Sequence, residues 1–330
     1  MGVNLIISSD LQMANDLSSN SNQDSQALLN QIIIDYIKEQ KRKRRWRWLM
    51  RFIYLLIIGF VAYQLFVTGN EESGSNTKPH VGLIDISGEM FDTRPANADD
   101  FAKGMESAYK NSGLKALVVR INSPGGSPVQ AEYMYNTIKY YRNKYPEIKV
   151  YSVCVDLCAS AAYYVAVAGE NVYASPASMV GSIGVIYSGF GFVDAMGKIG
   201  ISRRLQTAGA NKGFMDPFSP DTDVQKQKLQ VMLDTVHQQF INRVKEGRGD
   251  RLHVDNDTFS GLIWTGEQAL PMGLIDGFAS SGQLAREVVK IETMIDYTHK
   301  QNLFDRVTKN LGTAMADELP LSLGIKPGLQ

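Results

Sequence analysis

The sequence is poor in the residues that metal sites and hydrolase triads require. Of its 330 residues only two are cysteines and four are histidines, and no histidine lies beside another at metal-ligand spacing or beside a serine that ends a predicted strand. Neither a G-x-S-x-G nucleophile elbow nor a glycine-rich loop ending in G-K-[ST] occurs. These absences argue against an α/β-hydrolase triad, a phosphate-binding loop and a metal centre, and we expect no cofactor.

Two cysteines are also too few for a disulfide scaffold. Cys154 and Cys158 are four residues apart, so they could face each other on a helix. Because a free cysteine is usually a small core residue, the sequence favours two buried thiols over a disulfide. It does not fix their redox state.

No excess charge of either sign is present. The chain has 34 Lys and Arg against 34 Asp and Glu, so its formal net charge of zero points to no nucleic-acid partner. The local exception is a basic run from Lys38 to Arg51, which is followed by an uncharged apolar segment from Phe52 to Val67. That apolar segment makes a membrane flank a better interpretation of the basic run than nucleic-acid binding.

Extended back through Trp48, the apolar segment approaches the ~20 residues that cross a bilayer. We predict a transmembrane helix over 46–68, a largely disordered cytoplasmic tail over 1–45 and a linker over 69–80. Cationic flanks stay cytoplasmic, so the bulk of the chain should lie outside. A cleaved signal peptide is the alternative, but the segment begins far from the N-terminus and no A-x-A site follows it.

From His80 onward, predicted strands alternate with predicted helices. Buried strands are indicated by β-branched apolar runs, and helices by apolar residues at three- and four-residue spacing. This alternation predicts an α/β domain with a largely parallel sheet. The predicted strands are 81–86, 114–121 and 148–155, and the predicted helices are 98–111, 129–145, 159–169 and 221–247.

Two strand-to-helix junctions carry residues suited to acyl chemistry. In Asn122-Ser-Pro-Gly-Gly-Ser127, two glycines let the backbone approach a substrate and expose N–H donors that suit a developing oxyanion. Ser160 lies at the second junction, where a helix N-terminus favours negative charge and the Ala161 N–H points the same way. The alternatives are an ordinary turn for the first junction and a simple N-cap for Ser160.

A serine hydroxyl is a poor nucleophile without a base, and no histidine is suitably placed. Lysine or a carboxylate must then supply it. Lys212 stands out because Gly, Ala, Phe and Pro surround it between Thr207 and Phe218. Desolvation of an ammonium favours the neutral amine, which can accept a proton. A solvated loop lysine is the alternative.

Six short segments follow one another along the outer domain. They are Asn122-Ser-Pro-Gly-Gly126, Ala159-Ser160-Ala-Ala-Tyr-Tyr164, Ala174-Ser-Pro-Ala-Ser178, Gly181-Ser-Ile-Gly-Val185, Lys212-Gly-Phe-Met-Asp-Pro-Phe218 and Trp264-Thr-Gly-Glu-Gln-Ala269. In order and spacing they resemble the bacterial signal peptide peptidase A family of serine–lysine proteases, within the Clp protease and crotonase superfamily. The resemblance covers about residues 80 to 290.

The resemblance implies a Clp protease/crotonase-like spiral of β-β-α units, with a peptidase domain over 81–295 and a C-terminal extension over 296–330. It makes Ser160 the nucleophile and Lys212 the general base. The glycine pair Gly125-Gly126 and the Ala161 amide would form the oxyanion hole. Family members often have two glycines after the serine, where this chain has two alanines.

Larger family members carry two modules, which supply serine and lysine separately, whereas this chain has one. The resemblance therefore implies a homo-oligomeric ring of eight subunits, in which Lys212 reaches Ser160 across an interface. It further implies an endopeptidase of the bacterial inner membrane, acting on cleaved signal peptides with its domain outside the cytoplasm.

Two other functions remain open at this stage. A crotonase-like acyl-CoA enzyme would use a similar oxyanion turn but would need no membrane anchor. A non-catalytic membrane scaffold could keep the fold, although the presence of both Ser160 and Lys212 argues against it.

Overall fold

The structure is a computed structural model that describes residues 34, 36–63 and 78–300. The chain divides into two units, Met1–Gly74 and Ser75–Gln330, which are described separately below. The predicted disordered tail lies mostly outside the described residues, as do most of the predicted linker and of the C-terminal extension.

The first unit contains one described helix, α1, over Tyr36–Tyr63. Its 28 residues span ~42 Å, and it is the one helix of the described residues long and apolar enough to cross a membrane. Helix α1 already includes Tyr36, ten residues before the predicted start at 46, because the basic run is itself helical. Glu39 and Lys43 form an ion pair of 2.9 Å within that run. The apolar pattern therefore marks the membrane-length part of the helix and not its start.

The second unit is built on one mixed sheet with the strand order β6-β5-β3-β2-β1-β8, in which β4 also pairs with β3, and β7 with β4. Every pair is parallel except β5 with β6, which confirms the predicted largely parallel sheet. The strands are β1 His80–Ser87, β2 Leu114–Ser123, β3 Lys149–Ala159, β4 Asn171–Ala174, β5 Met179–Gly181, β6 Ile263–Thr265, β7 Gly277–Phe278 and β8 Met294–Asp296.

Helices connect these strands, and the longer ones begin at capped residues. They are α2 Ala98–Tyr109, α3 Pro128–Lys144, α4 Ala161–Ala166, α5 Val193–Lys198, α6 Asp223–Arg248, α7 Gly266–Ala269 and α8 Ser281–Gln283, with a 3-10 turn at Gly249–Arg251 and a π-helical turn at Leu284–Val289. Thr222 and Gln225 form a capping box that fixes the start of α6 two residues after the predicted 221. The predicted helix over 159–169 shrinks to six residues, because β3 runs through Ala159 and Ser160 forms the turn.

The preference for free thiols over a disulfide is wrong, because Cys154 and Cys158 form a disulfide. Both are buried, but they lie on strand β3 and not on a helix. Cys154 pairs with Ile121 of β2 and Cys158 with Ser123, so the three residues between the cysteines on β3 lie opposite one residue of β2. This bulge brings the two cysteine Cα atoms to 5.4 Å, within the range that a disulfide spans.

The main core lies between the sheet and helices α2, α3, α4 and α6. Strand β8 returns to pair with β1, and the contacts continue beyond it. The Tyr297 N–H donates to the Leu83 carbonyl at 2.8 Å, and the Asp85 N–H donates to the Thr298 hydroxyl at 2.8 Å. The packed unit therefore extends past the predicted domain end at 295.

Candidate active site

Ser160 occupies the turn between β3 and α4 with a backbone that side chains rarely adopt. Its φ of 56° and ψ of −127° are held by two hydrogen bonds, from its N–H to the Gly181 carbonyl at 2.8 Å and from the Tyr164 N–H to its own carbonyl at 3.0 Å. Such backbone strain costs about 1–3 kcal/mol and persists only where the surroundings impose it. The hydroxyl makes no capping hydrogen bond to α4, so Ser160 does not act as a simple N-cap.

The glycine turn after β2 packs directly against Ser160. Gly125 and Gly126 have φ of 100° and 147°, which favour glycine. A Cβ atom on Gly125 would lie 2.8 Å from the Ala159 carbonyl oxygen, and 2.9 Å from both the Ala161 nitrogen and the Ser160 Cβ. The fold thus brings together two junctions that are separated by more than thirty residues in the sequence.

The backbone amides at this junction differ in whether they are engaged. The Gly125 N–H donates to the Ser123 hydroxyl at 3.1 Å, and the Gly125 carbonyl accepts from the Met90 N–H at 2.9 Å. Within the part of the chain that the structure describes, neither the Gly126 N–H nor the Ala161 N–H has a hydrogen-bond acceptor. These two amides are therefore the donors available to an oxyanion, while Gly125 supplies the conformation.

A cavity of about 760 Å³ opens beside Ser160. Gly126, Ala161 and Ser182 also border it, and Ser182 is a further non-glycine residue with positive φ, at 50°. The rest of its wall is largely apolar, as expected of a site that takes apolar side chains. The wall includes Phe91, Pro128, Val129, Tyr133, Val185, Val236 and Phe240.

One charged side chain, Glu132 of α3, lines this cavity. It accepts hydrogen bonds from the Tyr164 hydroxyl, from Arg243 Nη2 at 2.6 Å and from Asn136 at 3.0 Å. Burial acts to raise the pKa of Glu132, but these hydrogen bonds outweigh it and hold the pKa below its usual value. Burial and the Glu132 hydrogen bond raise the pKa of Tyr164 to about 12, so the phenol stays protonated and donates. No sequence signal singled out Glu132.

Lys212 is not brought to Ser160 within one chain. It is exposed, in a turn closed by a hydrogen bond from its N–H to the Gly209 carbonyl at 3.1 Å, and it does not border the Ser160 cavity. Its ammonium has no hydrogen bond or ion pair among the described residues. The segment 187–222, called the arm below, carries Lys212 and exposes large apolar side chains, among them Phe190 at 81% and Ile199 at 70%.

Comparison with known proteins agrees with this architecture. The model of peptidase family S49 matches residues 142–294, which include both Ser160 and Lys212. The Clp protease model matches residues 92–181, which include the glycine turn and Ser160. The fold class predicted from the sequence, Clp protease-like α/β with an N-terminal apolar helix, is confirmed.

Three relatives illustrate the range of similar proteins. A protein of Synechocystis sp. provisionally named a protease, slr0021, is 30% identical over 61% of this chain and 70% of its own length. One of Enterococcus faecium, provisionally named signal peptide peptidase SppA, is 25% identical over 69% of this chain and 67% of its own length. The chain belongs to peptidase family S49, the family of the signal peptide peptidase SppA proteins.

The third relative is a Brucella abortus protein named Na(+)/H(+) antiporter NhaA, 40% identical over 56% of this chain. The chain covers only 25% of that protein's length. Its name refers to the full-length protein, and three quarters of that protein lies outside the region that matches this chain.

Proposed function

We propose that the protein is a serine peptidase in which Ser160 is the nucleophile. The observation that carries this proposal is the strained Ser160 turn, whose hydroxyl is not used for capping and whose neighbouring amides, Gly126 and Ala161, have no acceptor. Strained backbone beside unused donors is the arrangement expected of a nucleophile next to an oxyanion hole.

In the proposed reaction, neutral Lys212 takes the Ser160 proton as the hydroxyl oxygen attacks the scissile carbonyl. The Gly126 and Ala161 N–H groups donate to the resulting oxyanion. The lysine ammonium then protonates the leaving amine, which breaks the peptide bond and leaves an acyl-serine. A water molecule, deprotonated by the same amine, releases the acyl group and restores the hydroxyl.

Lys212 would reach Ser160 from a neighbouring copy of the chain. Support comes from the arm, which exposes large apolar side chains to water in a single subunit. Exposure of such side chains is unfavourable, and assembly would remove it by covering them. Covering the arm would also desolvate the Lys212 amine, which favours its neutral form. In a closed homo-oligomeric ring, which we propose has eight subunits, every arm can place its Lys212 at the Ser160 cavity of one neighbour.

The proposed substrates are cleaved signal peptides and similar membrane-associated peptides. Two features support this choice: helix α1, which would anchor the chain in the bilayer with its basic end in the cytoplasm, and the largely apolar cavity beside Ser160. Apolar peptide segments are scarce in water and concentrated at membranes, so an anchored peptidase with an apolar cavity would meet them there.

The test is a serine-reactive fluorophosphonate applied to the full chain in detergent, followed by intact-mass and peptide-mass analysis. We expect one adduct, on Ser160, and none in Ser160→Ala. An adduct elsewhere, or an unlabelled wild-type protein, would rule out the assignment of the nucleophile.

Subunit mixing tests the shared site. Ser160→Ala and Lys212→Ala proteins should each be inactive on an apolar peptide, whereas refolded mixtures should regain activity because an intact serine meets an intact lysine at some interfaces. Mixtures that stay as inactive as the parents would contradict a site formed between subunits.

A further inference from the structure

The two parts of the proposed oxyanion site each lie at the start of a helix. Helix α3, Pro128–Lys144, follows the Gly125-Gly126 turn after a single residue, and α4, Ala161–Ala166, follows Ser160 directly. The distance between the Gly126 and Ala161 amides therefore depends on how α3 and α4 are held together.

One polar contact ties the two helices within the cavity wall. Tyr164, one turn into α4, donates its hydroxyl hydrogen to Glu132 Oε2, one turn into α3. Tyr164 is 6% exposed, and its ring packs edge-on against Tyr135 of α3 at 5.7 Å. Tyr164 lies four residues after Ser160 and Glu132 lies six residues after Gly126, so a tilt of either helix would break the hydrogen bond between them.

Helix α6 contributes further hydrogen bonds to Glu132 through Arg243. Arg243 donates to Glu132 Oε1 at 2.6 Å and to Oε2 at 3.3 Å, and its guanidinium lies 4.9 Å from the centre of the Tyr135 ring. Arg243 also donates to Glu246 at 3.0 Å, which in turn pairs with Lys139 of α3 at 3.1 Å. Bidentate contacts of an arginine fix the carboxylate in orientation as well as in charge. Glu132 is thus ionised, oriented and able to hold Tyr164.

We propose that Glu132 is a positioning residue, which sets the spacing between Ser160 and the oxyanion donors by holding the Tyr164 hydroxyl and so locking α4 against α3. It does not touch the reacting atoms. This inference rests on the proposed function of Ser160. It goes beyond that function because it gives Glu132, the charged residue in a largely apolar cavity wall, a part in positioning the catalytic groups.

The test uses the full chain in detergent and a fluorophosphonate, with the rate of inactivation at saturation, kinact, separated from the concentration dependence, KI. Tyr164→Phe removes only the hydroxyl. A matched control is available on the same helix, because Tyr163 is also buried but donates to the Leu274 carbonyl and not to Glu132. We expect kinact of Tyr164→Phe to fall roughly ten- to hundredfold with KI little changed, since small displacements of reacting groups have effects of that order.

Tyr163→Phe should keep kinact within about twofold of the wild type even if its melting temperature falls, because a lost buried hydrogen bond costs stability at either position. A fall in kinact that is equal in both variants, or no fall in Tyr164→Phe, overturns the proposal. Failure of the wild-type protein to label at Ser160 would instead overturn the proposed function, so the two failures are distinguishable.

A second series guards against misfolding of Tyr164→Phe. Glu132→Gln keeps an acceptor for the Tyr164 hydroxyl, whereas Glu132→Ala removes it. We expect kinact to decrease in the order wild type, Glu132→Gln, Glu132→Ala. Equal rates in the two Glu132 variants would contradict a role that depends on holding the hydroxyl.

Discussion

The proposed site has two sides that differ sharply in how firmly the chain holds them. On the serine side, backbone hydrogen bonds and the bulged strand β3 hold Ser160 and the glycine turn in place, and helices α3, α4 and α6 pack around them. On the lysine side, Lys212 lies on the arm, which has one six-residue helix, α5, with no buried residue. The same reaction would thus depend on one preformed part and one part that a single chain leaves in solvent.

This difference indicates which contacts stabilise the ordered conformation of each side of the site. The serine side is ordered by folding, because its strained backbone is compensated by core contacts of the same chain. The arm has few such contacts, so under the proposed function its ordering would come from association with another copy. Activity should then depend on assembly, while the serine side should be formed in any folded chain.

The largest effect on folding should come from the glycine turn. A methyl group on Gly126 would overlap the Met90 carbonyl oxygen and lie 2.9 Å from the Met90 nitrogen, at a φ of 147°. We expect Gly126→Ala to lower the free energy of unfolding by about 2–4 kcal/mol, because backbone and strain costs add, and to lower Ser160 labelling at least hundredfold. Thermal unfolding and fluorophosphonate kinetics measure the two effects.

Gly197 provides the matched control on the arm. It lies inside α5, and a methyl group there would meet nothing within 4 Å. Gly197→Ala should leave stability unchanged or raise it by about 0.5–1 kcal/mol, since alanine favours a helix. Equal losses in the two variants would remove the contrast between the two sides.

The next effect concerns the disulfide that closes the bulge of β3 two residues before Ser160. A disulfide acts partly by restricting the unfolded chain, and for so short a loop about 1–2 kcal/mol is expected. Reduction should therefore lower the melting temperature of the wild-type protein and leave that of a Cys154→Ala, Cys158→Ala double variant unaffected. Two titratable thiols in unreduced, denatured protein would show instead that the bond is absent.

The strands and long helices could be predicted from the sequence, because apolar runs and caps act locally. The pairing of Cys154 with Cys158 could not, since it depends on a bulge that appears only when β3 is aligned with β2. The glycine turn and Ser160 were each recognisable as oxyanion and nucleophile candidates, but their contact through Gly125 is a property of the parallel sheet. Glu132 gave no local signal at all, because its partners lie on three different helices.

A smaller effect on folding, but a clear one on assembly, should follow from a charge on the arm. Phe190→Asp alters a side chain that is 81% exposed, so the free energy of unfolding should change by no more than about 0.5 kcal/mol. If the arm packs on a neighbouring copy, association should weaken roughly tenfold or more, because burial of a phenylalanine is worth about 1.5–3 kcal/mol. Light scattering on the full chain in detergent measures the particle mass.

Val254→Asp is the control for that experiment, since Val254 is also exposed, at 55%, but lies outside the arm. The particle mass should be unchanged in this variant. A Phe190→Asp protein with the wild-type mass and activity would argue that the arm is not an assembly surface.

The smallest effect on folding should come from Lys212 itself. Its ammonium makes no contact within the described residues that folding could lose, so Lys212→Ala should change the free energy of unfolding by less than about 0.5 kcal/mol. Labelling of Ser160 should nevertheless fall by about 10³-fold or more, since a serine hydroxyl without its base is a poor nucleophile. Lys198→Ala, at another exposed lysine of the arm, should alter neither quantity. If Lys212→Ala kept the wild-type labelling rate at unchanged particle mass, the base would have to lie on the serine side after all, and the division between a preformed and an assembled half would no longer hold.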